Sequence, residues 1–143
     1  MKTFYRFSFI LVSALLLVAL TQTGCKKTGT EDLLTAHPWN FVKLETTSTD
    51  SSVINGVTLA NALMTGAVLI YNSDGTYSMS VLQQTQNGTW ELSSDNKTLT
   101  MTPEGKDPDD MEITRLTDAN LDLTSHLTDD EGHPYTTTLY WKK

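Results

Sequence analysis

The stretch "NGTWELSSDNKTLTMT" (87–102) decides the fold. Around the turn signal "SDN" (94–96), Trp90 and Leu92 alternate with Thr89 and Glu91, and Leu99 and Met101 alternate with Thr98, Thr100 and Thr102. A period of two belongs to an extended backbone with one face in oil and one in water. Threonine suits the wet face, because its branched Cβ fits a strand while its hydroxyl accepts water. Asp95 and Asn96 tolerate the positive φ of a tight turn. The stretch therefore reads as a hairpin with a single apolar face.

Working outward, the pattern recurs in whole or part in six more segments, giving eight candidate strands at 39–47, 67–72, 76–84, 89–94, 97–103, 111–117, 121–128 and 134–142. The turn signals "SDG" after Asn72, "QNG" after Thr85 and "DAN" after Thr117 join neighbours into a meander. A meander with one apolar face must cover it, by folding into two layers or by rolling into a cylinder that removes both edges. Eight strands is the size whose interior is filled by side chains or holds one small ligand. The expected class is all-β, an eight-stranded antiparallel up-and-down barrel. Two additions are expected: a short helical turn in "EDLLTAHPW" (31–39), beginning at Thr30 or Glu31 and ended by Pro38, and a lid in the long connection 48–66. That connection reads either as a helix capped by Thr58, bearing Leu59, Ala62 and Leu63 and stopped by Gly66, or as a hairpin at Asn55 and Gly56.

The beginning of the chain follows different rules. Lys2 and Arg6 precede an uncharged run from Phe7 to Leu20, and small and polar residues follow to Gly24. This is the layout of a secretory signal. As a helix the run spans only about 21 Å, short of a hydrocarbon core of about 30 Å. Gln22, Thr23, Gly24 and Cys25 resemble the lipobox of bacterial lipoproteins, although Gln22 stands where Leu, Val or Ile is usual. That resemblance implies a triacylated Cys25 as the mature N-terminus, an effectively permanent anchor. The organisation is then a signal peptide (1–24), a lipidated tether (25–32) and a barrel domain (33–143). No acidic residue directly follows Cys25, which favours the outer membrane with the domain facing the periplasm over surface display.

Loss of residues 1–24 leaves 17 acidic and 8 basic residues, so the formal charge moves from −7 to −9. An acidic surface excludes nucleic acid as a partner, which demands clustered Lys and Arg. Cys25 is the only cysteine, so the domain has no disulfide and must close a true hydrophobic core.

The succession "LLTAHPWNFVKLETT" (33–47), "LIYNSDGTYSMS" (69–80), "NGTWELSSDNKTLTMT" (87–102), "ITRLTDANLDLT" (113–124) and "TTTLYWKK" (136–143) resembles the small lipocalin-like domains of Gram-negative cell-envelope lipoproteins. These run a Trp-bearing first strand into "DGTY" and "GTWxL" hairpins. The resemblance implies the same barrel and the binding of a small apolar molecule. The chain departs from true lipocalins in having "HPW" for Gly-x-Trp and in ending on Lys142 and Lys143 rather than on an Arg that stacks over that Trp.

Strict alternation from Trp39 sends Phe41, Lys43 and Glu45 inward, and in later strands Tyr77, Met79, Val81, Trp90, Leu92, Leu99, Met101, Met111, Ile113, Arg115, Leu121, Leu123, Tyr135, Leu139 and Trp141. The candidate ligand-binding set is Trp39, Phe41, Lys43, Tyr77, Met79, Trp90, Met101, Arg115 and Trp141. Lys43, Glu45 and Arg115 are anomalous, because an unpaired buried charge costs several kcal/mol. They are either polar anchors for a ligand head group or strand ends reaching solvent.

Metal and catalytic signals are thin. "HLTDDEGH" (126–133) and "KDPDDME" (106–112) are acidic turns, the second lacking the glycine and final glutamate of a calcium loop. No G-x-S-x-G, H-E-x-x-H or phosphate-cradling loop occurs, and His37 beside Pro38 reads as structural. The expectation is no enzyme, no cofactor and no metal. Two functions remain open: a container, which predicts a continuous cavity of a few hundred Å³, and a packed scaffold that engages another envelope protein.

Overall fold

The computed structural model describes residues 29–143; the signal segment, Cys25 and most of the tether lie outside the described residues. The elements are α1 (Thr30–Thr35), β1 (Trp39–Thr46), α2 (Ser51–Leu63), β2 (Val68–Tyr71), β3 (Thr76–Val81), β4 (Gln84–Leu92), β5 (Thr98–Pro103), β6 (Asp109–Leu116), β7 (Asn120–Thr128) and β8 (Pro134–Lys142). The eight strands close in sequence order into an antiparallel barrel, β8 returning to β1. Threonine alternation and the turns at 73–75, 94–96 and 118–119 do what the sequence predicts.

One end of the barrel is plugged. α1 begins where the Asp32 carboxylate accepts the Gly29 N–H at 3.0 Å, and its Leu34 is fully buried beside Trp39. The Trp39 indole N–H donates to the Leu34 carbonyl at 2.9 Å. His37 lies against the Trp39 ring, with centroids 4.4 Å apart, and bridges to the Asp118 carbonyl in the β6–β7 turn at 2.9 Å. Tyr71, Trp90, Leu99 and Leu121 complete the plug.

Three expectations are corrected. First, "QNG" is not a turn. The β3–β4 connection is the two-residue loop Leu82–Gln83, both at positive φ (49° and 66°), and β4 runs straight through Asn87 and Gly88. Gly88 faces Tyr77 across the ladder. A Cβ there would lie 2.6 Å from the Tyr77 ring and would also strike the Thr102 carbonyl oxygen. Glycine is present to let an aromatic ring lie flat across the strand, not to turn the chain.

Second, Lys43, Glu45 and Arg115 do not point inward. The β1–β8 register shifts between Phe41 and Lys43, and the β6–β7 register shifts between Ile113 and Arg115. Each shift is a bulge that inserts one extra residue and reverses the facing of everything beyond it. Leu116 packs against the core and Leu44 is half-buried in place of the charges. Lys43 and Glu45 are about half exposed and paired at 2.6 Å, with the Lys43 ammonium 4.8 Å from the Tyr140 ring centre. Arg115, also half exposed, stands 3.9 Å from Asp122. The registers Arg115–Asp122, Asp122–Tyr140 and Tyr140–Lys43 put both expelled cations at the ends of one row on the outer wall.

Third, the 48–66 connection is helical, excluding the Asn55–Gly56 hairpin, but the cap is Asp50 rather than Thr58. Its carboxylate accepts the Ser52 and Val53 N–H groups, which hold it below the usual carboxylate range together with the Ser52 hydroxyl. β2 pairs with β1 only through Leu69–Trp39 and Val68–Asn40. α2 packs along the edge this leaves: the Asn61 amide accepts the Leu44 N–H at 2.7 Å and donates to the Leu44 carbonyl at 2.8 Å. A side-chain amide thus imitates one rung of the missing strand.

Candidate functional site

Away from the plug the barrel interior is hollow. A cavity of about 240 Å³ is lined by Met64, Leu69, Tyr77, Met79, Gln86, Met101, Pro103, Asp109, Met111, Leu123, Leu139 and Trp141. It lies toward the end of the barrel that carries α2, the Leu82–Gln83 hairpin and the 104–108 loop, opposite the end where α1 enters. For scale, a dry apolar cavity of about 150 Å³ takes a benzene.

The wall is built by parity. Leu69, Tyr77, Met79, Met101, Met111, Leu123, Leu139 and Trp141 occupy inward positions of β2, β3, β5, β6, β7 and β8. Met64 enters from the C-terminal end of α2 as its C-cap residue. All four methionines among the described residues line the cavity. The thioether is polarisable and its three torsions adapt to shape, so such a wall moulds itself to a guest. Met101 is held from below, its sulfur 3.3 Å from the buried Tyr71 hydroxyl, whose ionisation burial opposes strongly.

Polar groups are few. Among the described residues the lining holds one charged side chain, Asp109, one amide, Gln86, and no Lys, Arg or His. Asp109 opens β6 at the mouth of the cavity and is exposed; what burial it has raises its carboxyl above the ordinary range, and the neighbouring Asp110 adds to the shift. Trp141 is nearly fully buried on the wall, and its indole N–H finds no acceptor among the described residues. An unpaired buried donor costs about 1–3 kcal/mol. Trp90, by contrast, donates to the Asn72 carbonyl at 3.0 Å.

Of the nine residues expected at the site, Tyr77, Met79, Met101 and Trp141 line the cavity. Trp39 and Trp90 belong to the plug instead. Phe41 packs behind the wall, edge-on to Trp141 at 5.5 Å. Lys43 and Arg115 are outside. Met64, Leu69, Gln86, Pro103 and Asp109 were missed, and Met111, Leu123 and Leu139, expected on the buried side, stood outside that set. Gln86 and Asp109 had a signal: each lies an even step from a correctly placed inward residue, Trp90 and Met111.

The acidic turns hold no such convergence. His126 pairs with Glu112 at 3.0 Å, whereas His133 stands 3.4 Å from Asp129 and 3.7 Å from Glu131, all on exposed or turn positions. Among the described residues no three metal-ligating side chains come together.

The sequence pattern described as a lipocalin-like domain matches residues 26–123. Among solved structures, the chain is similar to a DUF4847 family protein from Bacteroides vulgatus, at 15% identity and a TM-score of 0.50, over 78% of this chain and 96% of that one. It is also similar to bovine odorant binding protein in complex with a selenium-containing odorant, at 17% identity and a TM-score of 0.48, over 79% and 71% of the two chains. No curated protein matches the chain. At these identities the structural likeness bears on the fold alone.

Proposed function

The chain belongs to the lipocalin-like domain family, and on that premise we propose that it is a non-catalytic container for a small, largely apolar molecule. The observation that carries this is the cavity of about 240 Å³ with its methionine wall, the continuous hollow that a packed scaffold would lack. Trp39, Tyr71 and Trp90 fill the plug, so the hollow is a property of one end. The proposal includes the anchor: Cys25, lipidated after removal of residues 1–24, tethers the barrel to the outer membrane on its periplasmic face. The tether enters at the plugged end, so the cavity opens at the far end of the barrel from the anchor.

Native mass spectrometry of the protein purified gently from its own host tests the container. A reproducible added mass that denaturation removes is expected; a clean apoprotein would count against it. The anchor is tested separately by metabolic labelling with a palmitate analogue, which Cys25→Ala should abolish. One observation favours a second reading, an interaction lipoprotein: α2 has no fully buried residue and leaves Ile54, Leu59 and Leu63 exposed. A single envelope protein that copurifies and is lost on Leu59→Ser/Leu63→Ser would support that reading.

A further inference from the structure

Alternation sends Lys43, Glu45 and Arg115 into the barrel, and a bulge in each strand turns all three out, both cations among them. The result is an interior whose only charged lining residue, among those described, is a carboxylate. From this asymmetry, and resting on the container reading, we propose that the cavity takes a small organic amine, its ammonium on Asp109 and its apolar body among Met64, Met79, Met101 and Met111.

Charge complementarity at the mouth of an apolar cavity decides the guest, because Asp109 lines that mouth while remaining exposed. A guest with a carboxylate head would bring a second negative charge beside Asp109 with no cation in the wall to offset it, and like charges in such a setting disfavour each other's ionisation. A guest with a neutral hydroxyl would gain an ordinary hydrogen bond. An ammonium adds an ion pair to the hydrogen bond, the stronger the more the bound guest excludes water from the mouth. Partial burial, with Asp110 alongside, already raises the Asp109 carboxyl above the ordinary range, and a bound cation opposes that shift. Gln86, on the same lining, supplies an amide oxygen that also accepts from an ammonium and no group that repels it. The net acidic character of the chain, −7 overall, raises the local concentration of cations before they reach the mouth. The cavity volume of about 240 Å³ limits the body to one or two small rings or a chain of about eight carbons, judged against about 150 Å³ for a benzene site.

The test compares three probes of equal length, octylamine, octanol and octanoate, titrated at pH 7 against the full chain by isothermal calorimetry. Octylamine should bind roughly tenfold or more tighter than octanol, the scale expected of a hydrogen bond to a charged group, and octanoate should bind weakest. In Asp109→Asn the amine-to-alcohol ratio should fall toward one, and in Gln86→Glu it should rise; unchanged thermal unfolding shows that both variants fold. Octanoate equal to or tighter than octylamine, or a ratio that survives Asp109→Asn, overturns the amine assignment and leaves the container standing. If none of the three probes binds, the container reading fails at this size of guest and the amine assignment fails with it.

Discussion

The two ends of this barrel are made from the same repeating pattern and put to opposite uses. At the plugged end the Trp39 and Trp90 indoles both have partners: Trp39 donates to the Leu34 carbonyl and Trp90 to the Asn72 carbonyl. Trp141, in register with Leu121 of the plug yet lining the cavity, has none among the described residues; beyond it the wall is methionine, and Leu82 and Leu127 stand exposed at the hollow end. Satisfied, interlocking aromatics specify one arrangement and resist change. Flexible thioethers around a void specify less and adapt more. Stability should therefore concentrate in the plug, and adaptability in the cavity.

The largest expected effect follows directly. Trp39→Ala removes a fully buried ring and orphans the Leu34 carbonyl, and should cost about 4 kcal/mol in chemical denaturation. Met79→Ala merely widens an existing void and should cost about 1 kcal/mol, less than for a filled core. Equal costs would break the contrast between the ends. Gly88→Ala comes next, at about 2 kcal/mol, because its Cβ collides with the Tyr77 ring. Asn61→Ala should cost about 1–2 kcal/mol by leaving the Leu44 N–H and carbonyl unpaired, with faster amide hydrogen exchange confined to β1 and α2. The smallest is a gain: Leu82→Asn with Gln83→Gly suits the positive φ of both turn positions and should add about 1 kcal/mol, raising Tm.

Strand number, order and the apolar face were readable because threonine marks the wet side and Asp, Asn and Gly mark most turns. The β3–β4 turn was not readable, since Leu82 and Gln83 carry no turn chemistry while Asn87 and Gly88 carry it where a strand runs. Nothing in "FVKLE" (41–45) or "ITRL" (113–116) states that a residue is skipped. A charge that strict alternation buries was itself the clue, because expelling it through a bulge costs far less than desolvating it. Tyr77, Met79, Met101 and Trp141 were placed correctly by parity. Parity also placed Trp39 and Trp90 inside, where both are buried, but it tells inside from outside and not one end from the other; that depends on strand stagger, which only the closed barrel supplies.

The division between a fixed plug and an adaptable cavity is tested most directly by NMR of the protein during octylamine titration, observing methionine methyl and tryptophan indole signals together. The methyls of Met64, Met79, Met101 and Met111 should shift with the amine while the indole N–H signals of Trp39 and Trp90 stay in place. Shifts at Trp39 and Trp90 as large as those at the methionines, or saturating calorimetric binding with no methionine shift, would contradict it.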